Sequence, residues 1–391
     1  MTNLPQGWEV KKLGDIAEIS SGGTPSRNKK EYWENGIIPW VKIKDIKENF
    51  ISTTEEFITE DGLKNSSAKL FKKGTLLYSI FATLGEVAIL DIDATTNQAI
   101  AGINIKENNI NSLYLMYFLK SIKDKICSKG RGVAQNNLNL TILKQIQIPL
   151  PPLKEQERIV GILDESFAKI DESIKILEQN LLNLDELMQS ALQKAFNPLK
   201  DNAKENYKLP QSWEWKSLEE ISENISAGGD KPKNCTESKT AKNQIPVYAN
   251  GVNNNGLVGY TDKATIIKPS LTISARGTIG FVCIRKEPYF PIVRLIYLIP
   301  CENILCLHYL YFCLNFFIAK GEGSSIPQLT IPKFKSLQIP LPPLKEQEQI
   351  AEHLDFVFEK AKALKELYTK ELKDYEELKQ SLLDKAFKGE L

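Results

Sequence analysis

At 391 residues, with 42% hydrophobic and 25% charged residues, the chain is globular and long enough for two or three domains. Its longer apolar stretches, such as Ile304 to Ile318, are interrupted by His308 and Asn315 and fall short of the roughly 20 residues of a membrane span; Met1 to Trp8 lacks a secretory pattern, so a cytoplasmic protein is expected. The formal charge of +1 is a balance of unlike segments: +3 over 1–150, −4 over 151–196, +5 over 197–338 and −3 over 339–391, as if two mildly basic domains alternate with two acidic connectors.

The first segment, 1–147, alternates Gly-marked turns with β-type runs at Ile37 to Ile43, Thr75 to Phe81, Val87 to Ile92 and Ala99 to Ile105, and has one helical stretch, Ser112 to Ile126. Polar residues gather in its connections, where a rigid scaffold presents them to a ligand. Arg matches guanine edges, Asn and Gln match adenine, and Lys, Ser and backbone amides bind phosphate. The candidate DNA contacts are therefore Thr24, Ser26, Arg27, Lys29, Lys30, Lys42, Thr83, Arg131, Gln135 and Asn136. A turn with no ligand is the competing reading of each such loop.

The segment 148–197 opens on IPLPPLKEQE (Ile148 to Glu157), and the same ten residues return at Ile339 to Glu348, 191 positions on. The offset holds at Lys194-Ala195-Phe196 and Lys385-Ala386-Phe387, while LPQGWE (Leu4 to Glu9) returns as LPQSWE (Leu209 to Glu214) at an offset of 205. Proline pairs before an amphipathic run mark a helix start rather than a polyproline ligand. Leu163, Phe167, Ile170, Ile174, Leu177, Leu181, Leu184, Met188 and Ala191 alternate by four and three residues, a coiled-coil seam. A helix from Leu153 to Ala195 must bury this stripe, on its sister helix as an antiparallel pair or on another protein.

The segment 198–338 repeats the order of the first, with β-type runs at Ile245 to Ala249, Ala264 to Ile267, Leu271 to Ala275, Phe281 to Arg285 and Val293 to Pro300, and a helix from about Ile304 to Ala319. Its candidate contacts are Lys231, Lys233, Asn250, Asn253, Asn254, Ser274, Arg276, Thr278, Ser324, Ser325 and Gln328. The last segment, 339–391, carries the second seam: Leu354, Phe358, Ala361, Leu364, Tyr368, Leu372, Tyr375, Leu378 and Leu382. Six cysteines without a CxxC pair, and two histidines far apart, His308 and His353, give no metal site and no catalytic signal.

These residues resemble the specificity subunit of type I restriction–modification systems over nearly the whole chain. The resemblance rests on the paired LPPLKEQE starts, the LPxxW openings and the terminal LLDKAFKGEL. It also rests on GGTPS (Gly22 to Ser26), IPW (Ile38 to Trp40), TLGEVAIL (Thr83 to Leu90), NQAI (Asn97 to Ile100) and RGVAQNNLN (Arg131 to Asn139). The second half keeps RGTIGFV (Arg276 to Val282) and GEGSSIPQL (Gly321 to Leu329) but replaces the NQ position near Pro291 to Arg294.

The resemblance implies an α+β fold: two strand-rich target recognition domains separated by two long antiparallel coiled-coil helices, in a pseudo-twofold internal repeat. It implies double-stranded DNA as ligand, read as two half-sites whose gap the helices set. It also implies two modification subunits bringing S-adenosylmethionine, and in some systems two restriction subunits using ATP and Mg2+. The chain itself is expected to hold no cofactor and to be non-catalytic. A fused methyltransferase or endonuclease is the rival, but [ND]PP[YF] and Pro-Asp elements are absent. A purely structural coiled coil is a second rival and leaves two unlike domains without a purpose.

Overall fold

The computed structural model describes residues 4–129, 138–196, 210, 212–318, 321, 322 and 328–391. It forms two compact units, Met1–Leu177 with Lys370–Leu391, and Glu178–Thr369. Each unit holds one strand-rich domain together with part of each long helix.

In the first unit a five-stranded sheet runs in the order Ala17–Ser21, Ile100–Ile105, Leu76–Ser79, Val87–Leu90, Phe50–Ile51. Leu76–Ser79 and Val87–Leu90 are buried along their whole length because both faces are covered. Leu76, Tyr78, Val87 and Ile89 meet Tyr114, Leu115 and Phe118 of the helix Ser112–Ser121, while Leu77, Ala88 and Leu90 pack with Val41, Ile51 and Phe71 on the other face. The period of two residues sends alternate side chains to opposite layers. A three-stranded sheet, Glu56–Ile58, Ile38–Val41, Thr95–Thr96, lies beside it.

The second unit repeats this plan with a four-stranded sheet, Ser222–Ala227, Ile296–Pro300, Ser270–Ile273, Val282–Arg285, and a three-stranded sheet, Leu257–Thr261, Ile245–Tyr248, Phe290–Pro291. Leu271, Ile273, Ile296 and Leu298 face the helix Leu307–Phe317, and Tyr297 faces Ile266 and Tyr289 on the other side.

Several expected elements differ in extent. The helical stretch 112–126 breaks at Ile122 into Ser112–Ser121 and Lys123–Lys129. The helix expected from Ile304 starts at Leu307, because the Cys306 N–H is held by the Gln347 side chain (2.8 Å) and Cys306 keeps an extended backbone. Ala264 to Ile267 makes only an isolated bridge, Ile266 to Tyr289; Ile267 is exposed and Pro269 follows. The strand expected from Val293 begins at Ile296, since Val293 and Arg294 have left-handed backbones, φ 46° and 62°.

The repeated sequences are the joints of each unit. Gln147–Leu150 pairs antiparallel with Glu9–Lys12, and Gln338–Leu341 pairs with Glu214–Ser217, so the IPL segments are strands that span the expected cuts at 147/148 and 338/339. Two residues past each strand a helix begins, Leu153–Phe196 and Leu344–Ala386. The Gln of LKEQE is buried in both copies. Gln156 accepts from the Asn111 N–H (2.9 Å) and donates to the carbonyls of Asn109 (3.0 Å) and Pro151 (2.9 Å). Gln347 accepts from Cys306 and donates to Ile304 (2.9 Å) and Pro342 (2.8 Å). Buried Tyr114 and Tyr309 donate to Pro149 (2.6 Å) and Pro340 (2.8 Å) from the domain helices. Backbone groups that a strand-to-helix turn leaves unpaired are thereby satisfied.

The helices run antiparallel within each unit. In the first, Arg158 donates to the Leu391 carbonyl (2.8 Å) and Asp171 pairs with Lys379. In the second, Asp185 pairs with Lys365, and Leu192 and Phe196 share a core with Ala351 and Leu354. The KAF phenylalanines close each core: Phe387 packs on Tyr114 and Phe118, Phe196 on Tyr309 and Phe316.

In the first helix Leu163, Ile170, Leu177 and Leu184 are buried, and Phe167, Ile174, Leu181 and Met188 half-buried. The second seam needs one correction. Leu364 and Leu378 are 38% and 45% exposed, and a four-three spacing from Leu354 through Phe358, Ala361, Tyr368, Leu372, Tyr375 and Leu382 places Lys365 and Lys379 in the stripe instead. Their stems lie over the seam while their ammonium groups reach Asp185 and Asp171 on the facing helix.

Candidate nucleic-acid interface

In the first domain, two glycines and a strained turn shape the candidate surface. A Cβ on Gly22 would lie 2.0 Å from Thr96 Oγ1, and one on Gly23 2.3 Å from Ser67 Oγ, so only glycine lets this strap pass so close. Beyond it, Thr24 donates to Gln98, Ser26 is exposed, and its carbonyl accepts from Trp33 Nε1 (3.1 Å). Arg27 stacks on Trp33 (3.6 Å to the ring centre) and pairs with Glu56 (2.6 Å).

Lys42 is mostly covered and also pairs with Glu56. Partial burial alone would raise the Glu56 carboxyl, but the bonds from Lys42 and Arg27 outweigh it and hold the group below its ordinary value. Lys29 donates to Tyr32 Oη (3.0 Å); Lys30 is the most open, its ammonium 4.0 Å from Glu34. Thr83 is exposed on the turn after Leu76–Ser79, where Ala82 has φ 59°. Arg131, Gln135 and Asn136 lie outside the described residues.

In the second domain Lys231 and Lys233 are exposed, as are Asn253 and Asn254 on a short turn with left-handed backbone at Asn254 and Asn255. That turn is held by Arg285, which the sequence reading passed over. Its guanidinium stacks on Tyr248 (3.5 Å) and donates to Thr272 Oγ1 (3.0 Å) and the Asn255 carbonyl (2.6 Å).

Asn250, Ser274 and Arg276 are brought together. Asn250 Oδ1 accepts from the Ala275 N–H (2.9 Å), its Nδ2 donates to the Val293 carbonyl (2.7 Å), and buried Ser274 Oγ accepts from the Gly251 N–H (3.3 Å). Arg276 is exposed, Thr278 is half-buried with its hydroxyl unpartnered among the described residues, and Gln328 is exposed. Ser324 and Ser325 lie outside the described residues. Arg294 is a further residue of this surface, identifiable in the sequence only as the place where the NQ pattern fails.

Shared backbone bonds align the two domains residue by residue. Asn97 N–H donates to Val41 as Ile292 does to Tyr248; Gly22 donates to Ile100 as Gly228 does to Leu295; Gly85 donates to Ser79 as Gly280 does to Ser274. Counting from these anchors, Asn250 stands where the first domain has Ile43, Arg276 where it has Phe81, and Arg294 where it has Ala99. The scaffold is shared and the presented side chains are not. Among the described residues no His, Cys, Asp and Glu group could hold a metal ion, and no helix is long and apolar enough to cross a membrane.

The family model for the type I restriction modification DNA specificity domain matches twice, over residues 5–182 and 210–373. Among similar proteins, the type I restriction enzyme MjaIX specificity subunit of Methanocaldococcus jannaschii is 27% identical over 91% of this chain and 88% of its own. A putative type I specificity subunit of Mycoplasma pneumoniae is 30% identical over 67% and 77%. The EcoR124I/EcoR124II specificity subunit of Escherichia coli is 35% identical over 40% of each.

In fold, the chain is similar to one from a structural study of complex assembly in the type I R-M system (TM-score 0.83, 22% identity, all of both chains). It is also similar to the HsdS subunit of Thermoanaerobacter tengcongensis (TM-score 0.60, 22% identity, 100% of this chain and 98% of the other). With a doubled match over most of its length and relatives of that kind, the chain belongs to the type I restriction–modification DNA specificity family.

Proposed function

We propose that the chain supplies sequence recognition and no chemistry of its own: each domain reads one half of an asymmetric bipartite DNA site, and the long helices set the gap and dock modification subunits. The observation that carries this reading is the division of likeness. The joints, Gln156 and Gln347, and the closing phenylalanines, Phe196 and Phe387, repeat, whereas the loop side chains differ: Ile43, Phe81 and Ala99 against Asn250, Arg276 and Arg294. A like frame with unlike readers suits two different half-sites. A helix of 44 residues rises about 66 Å, the scale of two duplex turns of about 34 Å.

The chemistry then belongs to partners in the cytoplasm: two modification subunits that methylate adenine with S-adenosylmethionine and, where present, two restriction subunits using ATP and Mg2+. Co-expression with a modification subunit, followed by genome-wide mapping of methylated adenines, tests this. One motif of two unlike halves at a constant gap is expected. Methylation or cleavage of DNA by the purified chain alone would overturn it.

A further inference from the structure

The turn Ile292–Leu295 departs from its counterpart in the first domain, Asn97–Ile100, in its backbone. Val293 and Arg294 both have left-handed backbones, and Val293 is β-branched and 57% exposed. For residues other than glycine such a conformation is strained and persists only where its surroundings impose it. Here they do: Val293 N–H donates to Gly229 (2.7 Å), Arg294 N–H to Gly228 (3.2 Å), and the Val293 carbonyl accepts from Asn250. The other end of the Asn250 amide holds Ala275, next to Arg276. One side chain therefore clamps two loops, each carrying an exposed arginine.

These two arginines are set apart by how little the protein uses them. Arg27 stacks on tryptophan and pairs with Glu56, Arg158 pairs with Glu155, and Arg285 is buried against Tyr248. Arg276 and Arg294 are exposed and have no ion pair or hydrogen bond from their guanidinium groups among the described residues. In the first domain the clamp and both arginines are replaced together, by Ile43, Phe81 and Ala99. Three long-range neighbours that change as a set form one device.

We infer that Arg294, with Arg276 beside it, reads guanine in the second half-site, and that Asn250 is the positioning residue that aims both. The inference rests on the DNA-reading role proposed above. The chemistry is that of the guanidinium fork, whose paired coplanar N–H donors match O6 and N7 of guanine in the major groove; a lysine ammonium reaches the same atoms without that fixed geometry. Asn250 itself is occupied: both ends of its amide serve the backbone.

The test maps methylated adenines directed by the full-length chain, co-expressed with its modification subunit, as wild type and as R294A, R294K and N250A. Thermal midpoints of the purified proteins accompany the maps. For R294A, a guanine of the second half-site becomes degenerate, with about a tenfold loss of discrimination, R294K regains part of it, and the first half-site keeps its sequence. N250A relaxes the same position, and N250A/R294A relaxes it no further than R294A. An unchanged motif for R294A overturns the inference, and an unchanged motif with uniformly weaker methylation marks a phosphate contact instead. A wild-type chain that directs no bipartite motif would instead overturn the DNA-reading role, and the arginine assignment with it.

Discussion

Gln347 has no exposed surface, and its amide serves three backbone groups at the start of the second long helix: the Cys306 N–H and the carbonyls of Ile304 and Pro342. Gln347→Ala leaves all three without a partner and opens a cavity too small and too crowded to hydrate each of them well. An orphaned buried backbone group costs about 1–3 kcal/mol; with partial relaxation of the joint the expected loss is roughly 3 kcal/mol for the second unit, more than a hundredfold in its folding equilibrium. Urea unfolding of wild type and variant measures it, and hydrogen exchange gives a local signature: the Cys306 and Leu310 amides should exchange faster, while those of Leu76–Ser79 in the first unit stay as in wild type. A stability change below about 0.5 kcal/mol, the range of ordinary surface substitutions, together with unchanged exchange at Cys306, would refute the idea that this glutamine holds the joint.

The other expectations concern the seam, a half-buried carboxylate and the ruler. Lys365→Met and Lys379→Met each give up an exposed ion pair, worth at most about 1 kcal/mol, and gain apolar burial in the stripe; thermal midpoints equal to or above wild type are expected, and a marked drop would show that the lysines stabilise the pair. Because the Glu56 carboxyl is depressed in the folded state, its contribution is present above the ordinary glutamate value of 4.5 and is lost as pH falls through the folded value. Glu56→Gln should therefore be less stable than wild type at pH 7, and the difference should shrink as pH falls below 4.5, measured as urea midpoints across that range; a difference independent of pH contradicts the charge account. Inserting one heptad into both long helices adds about 10 Å of rise and should lengthen the gap in the methylated motif; an unchanged gap would show that the helices are not the ruler.

Both long helices, their starts and the stripe of the first were legible from residue spacing, because a helix is built from contacts three and four residues apart. So was the division into two like halves, since ten identical residues at an offset of 191 are a property of the chain itself. The strands were legible as runs but not in their ends: Val293 and Arg294 belong to a β-type run by composition and to a strained turn by their bonds to Gly228 and Gly229. Composition ranked Leu364 and Leu378 above the lysines beside them, yet heptad phase along the whole helix puts Lys365 and Lys379 in the stripe.

The proposed reading surface divides in the same way. Asn250 and Arg276 were identifiable by residue type in polar loops, but residue type cannot separate a side chain that touches a ligand from one that holds a loop. That Asn250 spends both ends of its amide on backbone 25 and 43 positions away, while Arg276 and Arg294 are exposed, depends on contacts between residues far apart in the chain. Local order sets spacing, duplication and helix phase; which loops converge, and which of their side chains stay exposed, is decided only when the sheets bring them together.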